Sequence, residues 1–191
     1  LWELPETVRS VVIEDAPELP LHSLQDAGRD VQGLRADDDG PMDPEAALRS
    51  ALRLGDGALV VGEVRGSEAG VLYEAMRVGA QSEAVLGTIH GDDSADVLER
   101  VVTDLGVPAS AFAATDLVVT LETSGSRRHP QRRVQTIEEV TGSDPVGFAS
   151  LFEQSGEGLV ATGRLDRGNS TLVATVTDPA DTYGGTLDAL R

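Results

Sequence analysis

Apolar and polar residues fall into short blocks along the chain, and the blocks change character from front to back. Residues 10–14, Ser-Val-Val-Ile-Glu, are a β-branched run that ends in acids. A run this short and apolar on both faces predicts a buried strand. Residues 58–64 and 84–90 predict a second and a third strand, and 117–122 a fourth. Helical patterns lie between them. Asp43-Pro44 predicts a helix start, with Asp as N-cap and Pro at the first position. That helix runs to about residue 54, where Gly55 stops it. Ser67 caps a helix reaching Val78, with Val71, Leu72, Ala75 and Met76 on one face. Ser94 is the expected N-cap of the next, whose buried stripe is Val97, Leu98, Val101, Val102 and Leu105. Gly106 and Pro108 end it, and a small-residue helix over 109–114 follows. Residues 23–43 are polar and rich in Asp and Gly, and predict a long loop with the acidic tip Asp37-Asp38-Asp39-Gly40.

Strands that alternate with helices, and that are apolar on both faces, predict an α/β fold: a parallel sheet with helices on both sides. The pattern changes after Thr123. Ser124-Gly125-Ser126 predicts a turn and 133–140 one strand of a hairpin. Residues 148–154 predict a helix, and 159–162 and 171–177 are β-like. The expected organisation is therefore a core domain over 1–124 and a hairpin with a small β-rich extension over 125–191.

Composition sharpens this picture. With 40% hydrophobic residues in 191, the chain can bury a sizeable core, built mainly from aliphatic residues because aromatics are only 3%. The absence of cysteine excludes a disulfide scaffold, a thiolate metal site and a catalytic thiol in these residues. Acidic residues number 33 against 15 basic ones, a formal net charge of −18. A field of that sign repels nucleic acid and anionic membrane surfaces, so no nucleic-acid partner is expected. Every basic residue is Arg; Lys does not occur. An acidic, Lys-free chain fits salt adaptation, since concentrated salt screens the self-repulsion; a genome favouring Arg codons gives the same bias. The expected source is an extreme halophile. No apolar run approaches the roughly 18 residues of a spanning helix, and the expected location is cytoplasmic. The chain begins Leu1-Trp2-Glu3-Leu4, without Met, and reads as a fragment of a longer product.

The candidate chemistry sits at predicted strand ends, where an open parallel sheet binds ligands. One strand runs into Glu14-Asp15 with Glu18 nearby, the next into Gly62-Glu63-Val64-Arg65-Gly66, the third into Thr88-Ile89-His90-Gly91. Carboxylates on two strands suit a magnesium ion and an attacking water, and an imidazole or guanidinium suits an outer phosphate. Taken alone, Glu63 would be a solvated strand end, His90 a hydrogen-bonded structural residue, and Glu14, Asp15 and Glu18 ordinary surface acids. A metal-dependent hydrolase built on Glu14, Glu63 and His90 is a third and weaker reading. Asp92, Asp93 and Asp96 read as acids at a helix N-terminus. Arg127, Arg128, Arg132 and Arg133 with His129 form the single basic cluster, read as a solvated hairpin or a subunit contact.

The ordered trio carries a resemblance. Leu59-Val60-Val61-Gly62-Glu63-Val64-Arg65-Gly66 resembles the Walker B segment of the type II secretion and type IV pilus ATPase superfamily. Val11-Val12-Ile13-Glu14-Asp15-Ala16-Pro17-Glu18-Leu19 is similar to that family's Asp box. Thr88-Ile89-His90-Gly91, followed by Ser94 and Arg100, is similar to its His box. The form of the Asp box, with Arg132-Arg133-Val134 and Ile137-Glu138-Glu139-Val140, resembles the archaeal pilus and archaellum motors most. The resemblance implies a RecA-like P-loop NTPase core, ATP and Mg2+ as cofactors, a homo-hexameric ring, and an inner-membrane platform protein of a pilus, archaellum or secretion machine as partner. It implies Glu14 as general base, supported by Asp15 and Glu18; Glu63 as the magnesium carboxylate, directly or through water; Arg65 as organiser of the Walker B loop or a subunit contact; and His90 as γ-phosphate sensor. Thr88 falls in the nucleotide-binding set.

The family's P-loop, G-x-x-x-x-G-K-[ST], is not in these residues, which contain no Lys. Most of the phosphate cradle is therefore missing from this stretch, and the chain alone is expected to bind nucleotide poorly. Family members also often carry Gly-His shortly before the His box, where Gly79-Ala80 stands here. Two readings follow. The chain is the C-terminal part of a motor ATPase whose P-loop lies upstream, or it is a catalytically inactive relative acting as an assembly or regulatory subunit.

Overall fold

The computed structural model describes residues 1–55, 57–77, 82–126, 129–156 and 158–176. The chain divides into two compact units: Leu1–His90 with Glu99–Ala111, and Gly91–Leu98 with the residues from Phe112 onward.

The first unit is built on a parallel sheet of β1 (Ser10–Glu14), β2 (Val31–Arg35), β3 (Gly57–Val61) and β4 (Ser82–Gly87), in the order β2-β1-β3-β4. β1 is central because Val11, Val12 and Ile13 are apolar on both faces, and all three are buried. Its register sets Ile13 beside Leu34 of β2 and Val61 of β3, and Val61 beside Gly87 of β4. All four strands therefore run out on one edge. β3 and β4 stop at Val61 and Gly87, a few residues short of the predicted ends. Their ladder continues into the following loops: Val64 N–H donates to the Thr88 carbonyl at 2.8 Å and Thr88 N–H to that of Val61 at 3.3 Å.

Residues 23–43 do not form the expected loop. They hold the end of α1 (Leu21–Asp26) and the whole of β2. Leu24 and Val31 close over Val12 in one buried cluster. A Cβ on Gly33 would lie 2.8 Å from Leu21 Cδ1, so any side chain there would have to push the Leu21 tip aside. β2 is an edge strand with one fully buried side chain, Val31, and its polar composition hides it from a periodicity argument.

The helices answer more closely to the sequence. α2 (Pro44–Ala51) starts at Asp43, whose Oδ1 accepts the Ala46 N–H at 2.7 Å, and it buries Ala47, Leu48 and Ala51. Gly55 follows at φ 108°. α3 (Glu68–Arg77) buries Ala69, Leu72, Tyr73 and Ala75, while Val71 and Met76 are half-buried. The predicted end at Val78 lies outside the described residues, as do Gly79, Ala80 and Gln81. α4 (Ser94–Glu99) continues into a π-helical turn, Arg100–Asp104, in which Leu105 N–H reaches back five residues to the Arg100 carbonyl. Val97 and Val101 are its buried positions. Its N-cap is Asp93, not Ser94: Asp93 Oδ1 accepts the Asp96 N–H at 2.9 Å. Ser94 is buried and donates to Glu138 Oε2 at 2.5 Å, with Ser150 donating to the other oxygen at 3.0 Å. α5 (Ala109–Phe112) is shorter than the predicted 109–114.

The second unit is an antiparallel meander of β5 (Leu117–Ser126), β6 (His129–Thr141), β7 (Gly147–Ser155) and β8 (Gly158–Ala161). The strand read as the fourth of the parallel sheet is β5, and it pairs antiparallel with β6. Ser124-Gly125-Ser126 is paired strand rather than turn, with Gly125 at φ 87° opposite Pro130. Arg127 and Arg128 lie outside the described residues. Residues 148–154 are strand β7, held by pairing on both sides, and Phe148 meets Phe112 edge-on at 6.2 Å. Conversely, the β-like run from Thr171 is α6 (Thr171–Val176); Thr177 is outside the described residues. Ser170 Oγ accepts the Val173 N–H at 3.2 Å, and the buried Glu139 carboxylate accepts the Leu172 N–H at 2.7 Å and the Thr171 hydroxyl. These two caps override the β-propensity of Thr-Leu-Val-Ala-Thr-Val. Among the described residues no helix is long and apolar enough to cross a membrane.

Candidate functional site

The common edge of the parallel sheet brings the three strand-end motifs side by side. Glu63, two residues beyond β3, is their meeting point. Its Oε1 lies 2.8 Å from His90 Nε2 and its Oε2 lies 2.9 Å from Arg65 Nε. Arg65 reaches in turn to the end of β1, where Nη2 donates to Asp15 Oδ2. Asp15, Arg65, Glu63 and His90 thus form one continuous chain of contacting side chains at the ends of β1, β3 and β4.

Local backbone contacts hold this chain in place. Thr88 donates its hydroxyl to the Gly62 carbonyl, which ties the end of β4 to that of β3 and sets His90 two residues further on. Glu68, 4% exposed, turns its Oε1 back onto the Arg65 and Gly66 N–H groups at 2.6 and 2.9 Å. A buried carboxylate thereby fixes the backbone that presents Arg65, independently of the Arg65 side chain. Glu14 stands apart from the chain. Its Oε1 accepts the N–H groups of Glu18 and Leu19 at 3.0 and 2.9 Å, closing the turn after β1, while its Cγ lies against Gly62. The Glu18 side chain is exposed and contributes its backbone N–H only.

Electrostatics follow the contacts. The Arg65 guanidinium holds the Asp15 carboxyl below its ordinary value, helped by the Ala16 N–H. Asp15 first, and Glu63 after it, raise Arg65 in return. Beside the cluster lies an open cleft of about 350 Å³ whose polar wall is Asp15, Asp38, Asp43, Glu63, Arg65 and Glu68. Sequence reasoning picked out Asp15, Glu63, Arg65 and His90, which the structure joins. It gave Glu68 no role, and it read Asp38 as an unassigned loop acid and Asp43 only as a cap. The signal for Glu68 was its position three residues after Arg65, a spacing at which a helix-start acid folds back on the preceding loop.

The fold is shared with solved ATPase structures. The VirB11 ATPase from the Brucella suis type IV secretion system, solved in complex with sulphate, matches this structure with a TM-score of 0.56, covering 72% of this chain and 42% of that one at 22% identity. The Legionella pneumophila ATPase DotB matches with a TM-score of 0.50, covering 96% of this chain and 44% of that one at 14% identity. The chain belongs to the type II/IV secretion system protein family, whose model matches residues 3–141. An uncharacterized protein of Methanocaldococcus jannaschii is 28% identical over 144 residues, 74% of this chain and 52% of that protein. The chain spans about half the length of that relative and under half of the two solved ATPases.

The donor set decides what these residues fit. Glu63 supplies one hard carboxylate donor of the kind magnesium takes, but His90 and Arg65 already occupy its two oxygens. A nucleotide triphosphate is different. Arg65 and His90 are the basic side chains in the cluster, both engaged with carboxylates, and no Lys exists in the chain to neutralise β- and γ-phosphates. Among the described residues no group of three potential ligands stands together to hold a metal ion, so these residues by themselves complete neither a metal site nor a triphosphate site.

Proposed function

We infer that the chain is the C-terminal portion of a motor ATPase that powers type IV pilus or archaellum assembly, or type II/IV secretion. The carrying observation is the Glu63 carboxylate joined to both His90 and Arg65 at the edge of the parallel sheet, in a chain of the secretion-ATPase family. Glu63 would hold magnesium, which when bound neutralises phosphate charge. Glu14, pinned at one oxygen by two N–H groups, would orient an attacking water or take its proton, with Asp15 and Glu18 in support. His90 would sense the outer phosphate through its link to Glu63. Thr88 would serve the site by holding β3 against β4. The phosphate cradle and its Lys would come from residues outside this chain. The complete protein would work as a homo-hexamer on an inner-membrane platform at the cytoplasmic face, with residues 1–124 as ATPase core and 125–191 as extension.

The test is magnesium-dependent ATP hydrolysis by the full-length protein in molar salt, wild type against Glu63→Gln. Hydrolysis by the wild type and a loss on the order of 100-fold in the variant are expected. A full-length wild type that hydrolyses nothing overturns the motor reading and leaves the assembly or regulatory subunit.

A further inference from the structure

With 33 acidic residues against 15 basic ones, an exposed arginine that has no carboxylate beside it stands out. Arg132 and Arg133, near the start of β6, are two of them, and both are exposed. Arg133 Nη2 donates to Gln131 Oε1 at 3.1 Å, and Glu122 stands opposite Arg133 in the ladder. Neither arginine forms an ion pair among the described residues. With the exposed His129 they make one end of the β5–β6 hairpin basic.

The complement lies in the first unit. The cleft beside Glu63 is lined by Asp15, Asp38, Asp43, Glu63 and Glu68 against a single Arg65. One guanidinium already sits there, since Arg65 spans Asp15 and Glu63. Acceptors remain beyond it. Asp38 is exposed, and its carboxylate takes no hydrogen bond or ion pair among the described residues. Glu68 is 4% exposed and uses only Oε1, on the Arg65 and Gly66 N–H groups; its Oε2 has no partner among the described residues. A carboxylate this buried, with one oxygen left over, points to a donor from outside. No group of three potential metal ligands stands together among the described residues, so scattered single carboxylates fit the spread donors of a guanidinium rather than a metal ion.

We propose that this cleft receives Arg132 and Arg133 of a second copy of the chain, so that copies join head to tail. Charge selects that occupant. A chain of net charge −18 repels itself over most of its surface, and the hairpin end brings exposed cations to the cleft's carboxylates. The two patches are different surfaces, so the contact is heterologous. Each copy keeps one patch of each kind for a further neighbour, and contacts of that type close into rings or run on as filaments. The inference rests on the homo-oligomer part of the proposed function, which it assigns to named surfaces, and it needs no ATP hydrolysis.

The experiment is sedimentation equilibrium of the 191-residue chain over a range of concentrations, in molar salt and at the lowest salt at which circular dichroism shows the fold intact. The wild type is expected to gain mass with concentration, more so at the lower salt. Two variants each break one patch: Arg132→Glu with Arg133→Glu, and Asp38→Arg, which spares the α2 cap and the Glu68 contacts. Each alone is expected to raise the dissociation constant about tenfold or more. Mixed, they hold one intact cleft and one intact hairpin between them, and a one-to-one pair that grows no further is expected. A wild type that stays monomeric overturns the inference, as does association that either variant leaves unchanged, or a mixture that does not pair. Head-to-tail assembly by a protein whose full-length form never hydrolyses ATP would keep this inference and remove the motor function.

Discussion

His90 Nε2 meets Glu63 Oε1 at 2.8 Å across the ends of two neighbouring strands. The contact spans 27 residues of sequence, and the register of β3 and β4 explains it. Val61 lies beside Gly87, the Thr88 hydroxyl closes on the Gly62 carbonyl, and both functional side chains then lie just beyond the paired segment. For the full-length protein, His90→Ala is expected to lower kcat for ATP hydrolysis by about 100-fold and to change KM little. Steady-state kinetics in molar salt check it; an unaltered kcat would mean that His90 merely packs against Glu63.

The start of α4 gives a second prediction, on stability. Asp93 caps the helix and Ser94 serves Glu138. Asp93→Ala is therefore expected to cost about 1 kcal/mol. Ser94→Asp separates the two roles. At an N-cap, Asp replaces Ser at little cost, but here the new carboxylate would be buried against Glu138 Oε2. A loss of about 2 kcal/mol or more is expected in chemical denaturation. A neutral Ser94→Asp would show that Ser94 caps after all.

A third prediction concerns acid. Glu139 is 1% exposed. Burial alone would lift its pKa, yet hydrogen bonds from the Thr171 hydroxyl and the Leu172 N–H, with Ser170 beside them, hold it below the ordinary 4.5. A carboxyl whose folded pKa is depressed adds stability that is fully present above the ordinary value. That stability is lost as pH falls through the depressed one. Glu139→Gln is expected to destabilise the protein by about 1–3 kcal/mol at neutral pH. The gap between variant and wild type should close as the pH drops below 4.5 and through the depressed value. Denaturation midpoints at neutral pH and in acid decide it; a gap that stays constant would mean the ionised form has no special standing at that site.

How far the sequence could be read depended on where each residue's partners lie. β1 was legible because Val11, Val12 and Ile13 are apolar on both sides and need no knowledge of a partner. α2 was legible because Asp43-Pro44 carries its own start signal. β2 was hidden: its one buried side chain, Val31, is explained by Leu24 and Val12, and Gly33 makes sense only beneath Leu21. β7 and α6 were exchanged in type for the same reason. Phe148 to Gln154 becomes strand by pairing with β6, and Thr171 to Val176 becomes helix because Ser170 and the distant Glu139 cap it. At the candidate site the motif order singled out Glu14, Asp15, Glu18, Glu63, Arg65, Thr88 and His90. It could not show that Glu14 gives one oxygen to the backbone N–H groups of Glu18 and Leu19, or that Glu68 holds the loop, since both are contacts of conformation rather than of residue type.

The start of β3 supplies the last prediction. Gly57 has φ 159°, and a Cβ there would lie 2.2 Å from the Arg9 carbonyl oxygen, with the register between β3 and β4 shifting between Gly57 and Ala58. That neighbour is backbone, not a flexible side-chain tip. Ala58 N–H donates to the same Arg9 carbonyl at 2.8 Å, so moving it away sacrifices a ladder bond between β1 and β3. Gly57→Ala is therefore expected to destabilise the first unit by about 2–3 kcal/mol, despite the unfolded-chain entropy that replacing a glycine saves. It should also weaken the Glu63–His90 contact, because the strand that presents Glu63 is anchored at this point. The control is Gly28→Ala: φ there is 84°, but nothing lies within 4 Å of the added Cβ, so the cost is confined to backbone strain. Thermal unfolding of the two variants, with the His90 ring shifts read in the same samples, tests the argument. Equal losses in both, or unshifted His90 resonances in Gly57→Ala, would break the link between the foot of β3 and the site at its head.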